Sequence, residues 1–128
     1  MTTELQMLLW AMALGLVHLV ATVLATIAQN GMMYAFKARD EQRPLVGTMA
    51  RLERAFRNFL ETFPFFIAAV LMAQALNHHT AMSVLGAQLY FWARLVYIPI
   101  YVSGLPVVRT LTWSVSMAGI LMVMSAAI

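Results

Sequence analysis

A chain of 128 residues suggests one domain, and its composition identifies the solvent it folds in. Hydrophobic residues make up 62% and charged residues 10%, against roughly 45–50% and 25% in soluble domains, and the mean hydropathy is +0.80. The absence of cysteine excludes disulfides, thiolate metal sites and a cysteine nucleophile. The net charge of +3 without a Lys/Arg-rich run excludes a nucleic-acid footprint. A small soluble helical bundle would need polar outer faces, which most of these segments lack.

A spanning helix needs about 20 apolar residues to cross a hydrocarbon core of about 30 Å. The first segment runs from about Leu5 to about Phe36. The N-terminus, MTTELQ, lacks the basic region of a cleaved signal peptide, so this segment is expected to stay as an anchor. Within it His18 stands alone and reads as a packed histidine hydrogen-bonded to a neighbouring helix. Asp40 and Glu41 read as solvated loop charges. The second segment covers about Leu45 to about Leu76, the third about Ala81 to about Val102, and the fourth about Val107 to Ala127. Between them lie NHHT, a polar turn that solvates His78 and His79, and SGLP, a turn with Gly and Pro. These lengths are helical, and helices satisfy their backbone in lipid. Short connections make neighbours antiparallel, so the fold class is all-α, an integral membrane four-helix bundle.

Basic residues set the orientation. Lys37, Arg39, Arg43, Arg51, Arg54 and Arg57 surround the first connection and Arg109 flanks the third, whereas NHHT and both termini carry none. The positive-inside rule places connections one and three in the cytoplasm and both termini on the far side.

Several polar residues lie too deep to be loop charges. About 15 residues separate Glu61 from NHHT, roughly 23 Å of helix, less than the hydrocarbon thickness. Glu61 therefore falls inside the apolar zone, where a charge costs a few kcal/mol unless paired or wet. Arg54, Asn58 and Glu61 share one face by i, i+4, i+7 spacing, and Arg57 can pair with Glu61 four residues on. In the third segment Tyr90, Arg94, Tyr97 and Tyr101 share a face, with Arg94 about 20 Å from the NHHT end. Glu61 is the one carboxylate at membrane depth in this reading, so an Arg94–Glu61 contact or shared network is expected. Arg109, Thr112, Trp113 and Ser116 form a further face. Four arginines (Arg54, Arg57, Arg94, Arg109) against one deep carboxylate leave excess positive charge, which calls for an anionic ligand. His18, His78 and His79 do not make a metal set, and no metal is expected.

ERAFRNFLETFP (53–64) and ARLVYIPIYVSGLPVVR (93–109) together closely resemble the MAPEG family, membrane-associated proteins in eicosanoid and glutathione metabolism. The resemblance covers about Lys37 to Trp113 and has the character of a bacterial branch, which implies a bacterial inner membrane. It implies a homotrimer of four-helix subunits that binds glutathione as co-substrate between subunits near the cytoplasmic face. The glutathione thiolate would attack a small lipophilic electrophile reaching the site through membrane lipid. By position, Arg54, Asn58 and Glu61 resemble the contacts from the second helix, with Glu61 on the peptide's amino group and the arginines on its carboxylates; Arg57 beside them is a further candidate binding residue. Arg94, Tyr97 and Tyr101 resemble those from the third helix. Lys37 or Arg39 resembles the basic residue reaching in from a neighbouring subunit. Arg109, which resembles the thiolate-stabilising arginine, and Arg94 are the implied catalytic residues. Thr62 stands where some members have an aromatic residue, and Phe56 where some have a polar one. Two other functions compete: a non-catalytic trimeric membrane protein binding a lipid or other anionic metabolite, and a small multidrug-type transporter. The transporter would need a free membrane carboxylate, which arginines crowd here.

Overall fold

Helix length and end chemistry account for most of the architecture. The computed structural model describes residues 1–36 and 44–128. Along the chain lie α1 (Thr3–Asn30), α2 (Met32–Phe36), α3 (Gly47–Ala75), α4 (Ala81–Ser103) and α5 (Pro106–Met124), with a closing 3-10 turn at Ser125–Ala127. Among the described residues, four helices are long and apolar enough to cross a membrane, the last counted through Ala127. The Thr2 side chain caps α1 through the Leu5 amide. Thr80 and Ser83 form a reciprocal capping box on α4. Pro106 occupies the first turn of α5, where its missing N–H costs nothing. The first segment, expected as one helix over 5–36, is broken at Gly31, which leaves helical geometry at φ 88°.

The buried stripes explain how the helices meet. On α1, Glu4, Leu8, Ala11, His18, Thr22 and Ala25 are buried; with half-buried Gly15 they step by four and three, a narrow coiled-coil-like seam. On α3 the buried set is Ala55, Phe59, Thr62, Phe66, Ala69, Val70 and Ala73, one face again. Phe66 stacks on Tyr90 of α4 at 4.1 Å between centroids. His18 behaves as the sequence suggests: its Nε2 lies 2.9 Å from the Leu52 carbonyl and its ring 4.9 Å from Phe56. Outside these seams much of the helix surface is apolar but uncovered. Leu16, Val17, Val107, Leu111 and Leu121 are 62–70% exposed, as expected of surfaces that meet lipid or another chain.

Two features depart from the sequence reading. NHHT leaves both His78 and His79 exposed, as read, but His79 is not solvated alone: its Nδ1 also pairs with the Glu4 carboxylate. Ser83 also approaches that carboxylate, at 3.5 Å. Glu4 is 1% exposed whereas Glu61 is exposed, so the fully buried acid among the described residues is Glu4 and not Glu61. The physical reason is that the start of α1 meets the α3–α4 turn in space, which leaves no periodic trace in the sequence.

α4 and α5 approach to backbone contact. A Cβ on Gly86 would sit 2.6 Å from the Gly119 carbonyl oxygen, and one on Gly119 would meet the Gly86 carbonyl at the same distance. Small residues of this kind let helices close in lipid, where no hydrophobic force drives them together. Gly86→Ala is therefore expected to destabilise the bundle by about 1–3 kcal/mol through overpacking. Thermal unfolding in detergent checks this: a melting point equal to wild type contradicts the close contact.

Candidate functional site

The site is built from two tyrosines and two arginines at the end of the bundle that carries the first and third connections. α4 turns Tyr90, Arg94 and Tyr97 inward, all buried, and leaves Tyr101 half-buried one turn later. Arg94 is 1% exposed. Its Cζ lies 4.2 Å from the Tyr97 ring centroid and 5.8 Å from that of Phe59 on α3. The turn through Gly104 then sends α5 back antiparallel, and Arg109 brings its Cζ to 5.0 Å from the Tyr101 ring. Tyr97 and Tyr101 are themselves 5.6 Å apart. Two guanidiniums thus flank one tyrosine pair, each attracted by a ring's negative face.

Neither cation has an ion-pair partner among the described residues. Arg94 Nε and Nη1 are buried without a hydrogen-bond acceptor, and so is Asn58 Oδ1 without a donor. Unsatisfied buried polar atoms are rare in folded proteins, and each demands a reason. Asn58 lines an open cavity of about 300 Å³ together with Tyr97, Tyr101, Arg109, Thr110 and Trp113; Arg94 does not line it but packs on the ring of Tyr97, which does. That volume is at the small end for a ligand site. One turn further along α3 and α4, the Thr62 hydroxyl lies 2.9 Å from the Tyr90 hydroxyl and also donates to the Phe59 carbonyl.

The structure brings together Asn58, Tyr97, Tyr101 and Arg109, with Arg94 adjoining. It does not bring Arg94 to Glu61: no hydrogen bond or ion pair joins them among the described residues. Helix phase explains this. The buried stripe of α3 is Ala55, Phe59 and Thr62, one residue beyond Arg54, Asn58 and Glu61, so the polar stripe is rotated by roughly 100° away from the core. Arg54 and Glu61 are exposed and Asn58 half-buried at the boundary. Arg57 bonds Glu53 at 3.1 Å rather than Glu61; acid before base at i, i+4 is the better orientation on a helix. Lys37, Arg39, Asp40 and Glu41 lie outside the described residues. Thr110, which lines the cavity, escaped the sequence reading because a lone threonine next to Arg109 has no periodic signal. No group of three or more metal-ligating side chains occurs among the described residues.

What the arrangement offers chemically is a cation-rich, aromatic-walled recess without a carboxylate, suited to a small anion with an adjoining polar or soft group. A family model described as the MAPEG family matches residues 7–128, nearly the whole chain. No curated protein matches the sequence significantly.

If Arg94 is held for a ligand, removing its charge must not weaken the empty protein. Arg94→Met, of similar reach, is expected to leave ligand-free stability unchanged or raise it by up to about 3 kcal/mol. Ligand-free thermal unfolding in detergent decides: a large loss would mean that Arg94 has a partner inside the bundle.

Proposed function

Since the chain belongs to the MAPEG family, as an integral membrane protein with four spanning helices, we propose that it is a glutathione-dependent transferase or peroxidase acting on lipophilic electrophiles. The observation that carries this reading is Arg94, fully buried with two guanidinium nitrogens lacking an acceptor, beside a cavity over which Arg109 holds a second cation. Glutathione brings two carboxylates, one ammonium and one thiol. Arg94 and Arg54 take the carboxylates, Asn58 and the tyrosine hydroxyls hydrogen-bond the peptide, and Arg109 faces the sulfur. A guanidinium beside a thiol favours the thiolate, the nucleophilic form. That thiolate attacks the electrophilic carbon as its leaving group departs. Holding both reactants at one place removes much of the entropic barrier.

The outward stripe of α3 fits a homotrimer. A second copy packed on this face turns Arg54, Asn58 and Glu61 into one wall of a pocket between subunits, with Glu61 on the ligand's ammonium. Lys37 or Arg39 of the neighbour then closes the small cavity of the single chain. The charge pattern supports a pocket opening to the cytoplasm. The exposed apolar side chains Val107 and Leu111 beside Arg109 give a lipophilic partner a route from the bilayer.

Conjugation of an aryl halide by the purified wild type and by Arg109→Ala tests the reading. Loss of the group that stabilises the developing negative charge is expected to lower kcat on the order of 10²-fold. Equal rates remove Arg109 from the chemistry, and a wild type without turnover removes the enzyme reading.

A further inference from the structure

We propose that Arg51 is a positioning residue for the site: its guanidinium clamps the α4–α5 turn and so fixes Arg109 over Tyr101. The role of Arg109 rests on the glutathione reading, whereas the clamp stands on geometry alone. Arg51 is seven residues before Asn58 on α3, on the same outward stripe, and is exposed. It does not point into the cavity. Its Nη1 donates to the carbonyl of Val102 at 3.1 Å, across 51 residues of sequence.

Three facts make this contact more than a surface hydrogen bond. First, Val102 lies in the last turn of α4, where carbonyls have no partner within the helix and the helix dipole is negative. α4 has no basic residue of its own in that turn, so Arg51 supplies the cation from a different helix. Second, the guanidinium lies against Gly104. A Cβ there would meet Arg51 Nη1, Cζ and Nη2 at 3.1, 3.4 and 3.5 Å. Gly104 also holds φ 81°, the left-handed conformation that ends α4, and donates its amide to the Tyr101 carbonyl at 3.1 Å. Third, both arms of this turn carry site residues. Tyr101 immediately precedes the acceptor Val102. Pro106 opens α5, and Arg109 follows one turn on, its amide bonded to the Leu105 carbonyl. The position of Arg109 relative to Tyr101 therefore depends on the turn that Arg51 holds.

Arg51→Ala and Arg51→Lys, measured by amide hydrogen exchange and by glutathione conjugation kinetics in detergent, test the proposal. Loss of one charge-assisted hydrogen bond is expected to speed exchange of the amides over 104–110 by about tenfold, while amides in the middle of α1 and α3 stay at wild-type rates. kcat is expected to fall severalfold to about tenfold from misplacement of Arg109, with KM for glutathione little changed. Arg51→Lys, which can still reach the carbonyl with one donor, is expected to fall between the two. Unchanged exchange over 104–110 in Arg51→Ala overturns the clamp. Faster exchange with unchanged kcat reduces Arg51 to a structural tie and overturns its positioning role. A rise in KM with unchanged exchange makes it a ligand contact instead. If the wild type itself turns over no electrophile, the glutathione reading fails, and the exchange measurement alone upholds or overturns the clamp.

Discussion

A guanidinium shut inside an apolar bundle without an anion is costly, and the site is organised around how this chain meets that cost. Arg94 cannot shed its proton as a lysine could, because its charge persists at any ordinary pH. It is instead laid against the faces of Tyr97 and Phe59. Such contacts are worth about 0.5–2 kcal/mol each, well short of the several kcal/mol that desolvating an ion costs. The shortfall is carried by the rest of the bundle: the Phe66–Tyr90 stack, the Thr62–Tyr90 hydroxyl pair and the glycine contact between α4 and α5. A second cation, Arg109, stands on the other ring of the tyrosine pair, which raises the local positive potential further. Two guanidiniums on adjacent rings repel each other, and in the proposed reading a bound anion would offset that repulsion.

The same economy appears in how α3 divides its two stripes. Ala55, Phe59 and Thr62 seal the interior, while Arg54 and Glu61, one residue earlier on the helix, stay outside. Asn58 alone reaches the cavity from that stripe. The single chain thus holds a half-built recess with an uncovered charged wall beside it. In the proposed homotrimer, a neighbouring copy packed on that wall would give Glu61 a role that α3 alone does not. At the opposite end, Glu4 and His79 join α1 to the turn before α4, so the two ends of the bundle are tied by polar contacts of different chemistry.

The four spans and the inward face of α4 were legible in the sequence, because helix length and the 3.6-residue period are local properties. Tyr90, Arg94 and Tyr97 face one way whatever surrounds them. That Arg94 has no carboxylate partner among the described residues was not legible. Stripes 54-58-61 and 55-59-62 are each a valid helical face, and in a chain this apolar both can be written as a core. Which one turns inward is settled by packing against α1 and α4, through residues such as Leu8 and Phe91 that lie far away in sequence. Glu4 with His79, 75 residues apart, and Arg51 with Val102 are likewise contacts made only in space. The break at Gly31 was hidden because the apolar run continues across it into Met32 and Met33. Composition reports burial in lipid, not continuity of the helix.

The central claim is that Arg94 is kept charged and unpaired inside the protein to bind the anionic groups of glutathione. Equilibrium dialysis of labelled glutathione against the detergent-purified protein, at one fixed low salt concentration, tests it most directly when wild type is compared with a folded Arg94→Met variant. Removing one member of a buried charge contact is expected to weaken binding on the order of 10²-fold. Equal affinity in the two proteins would contradict the account.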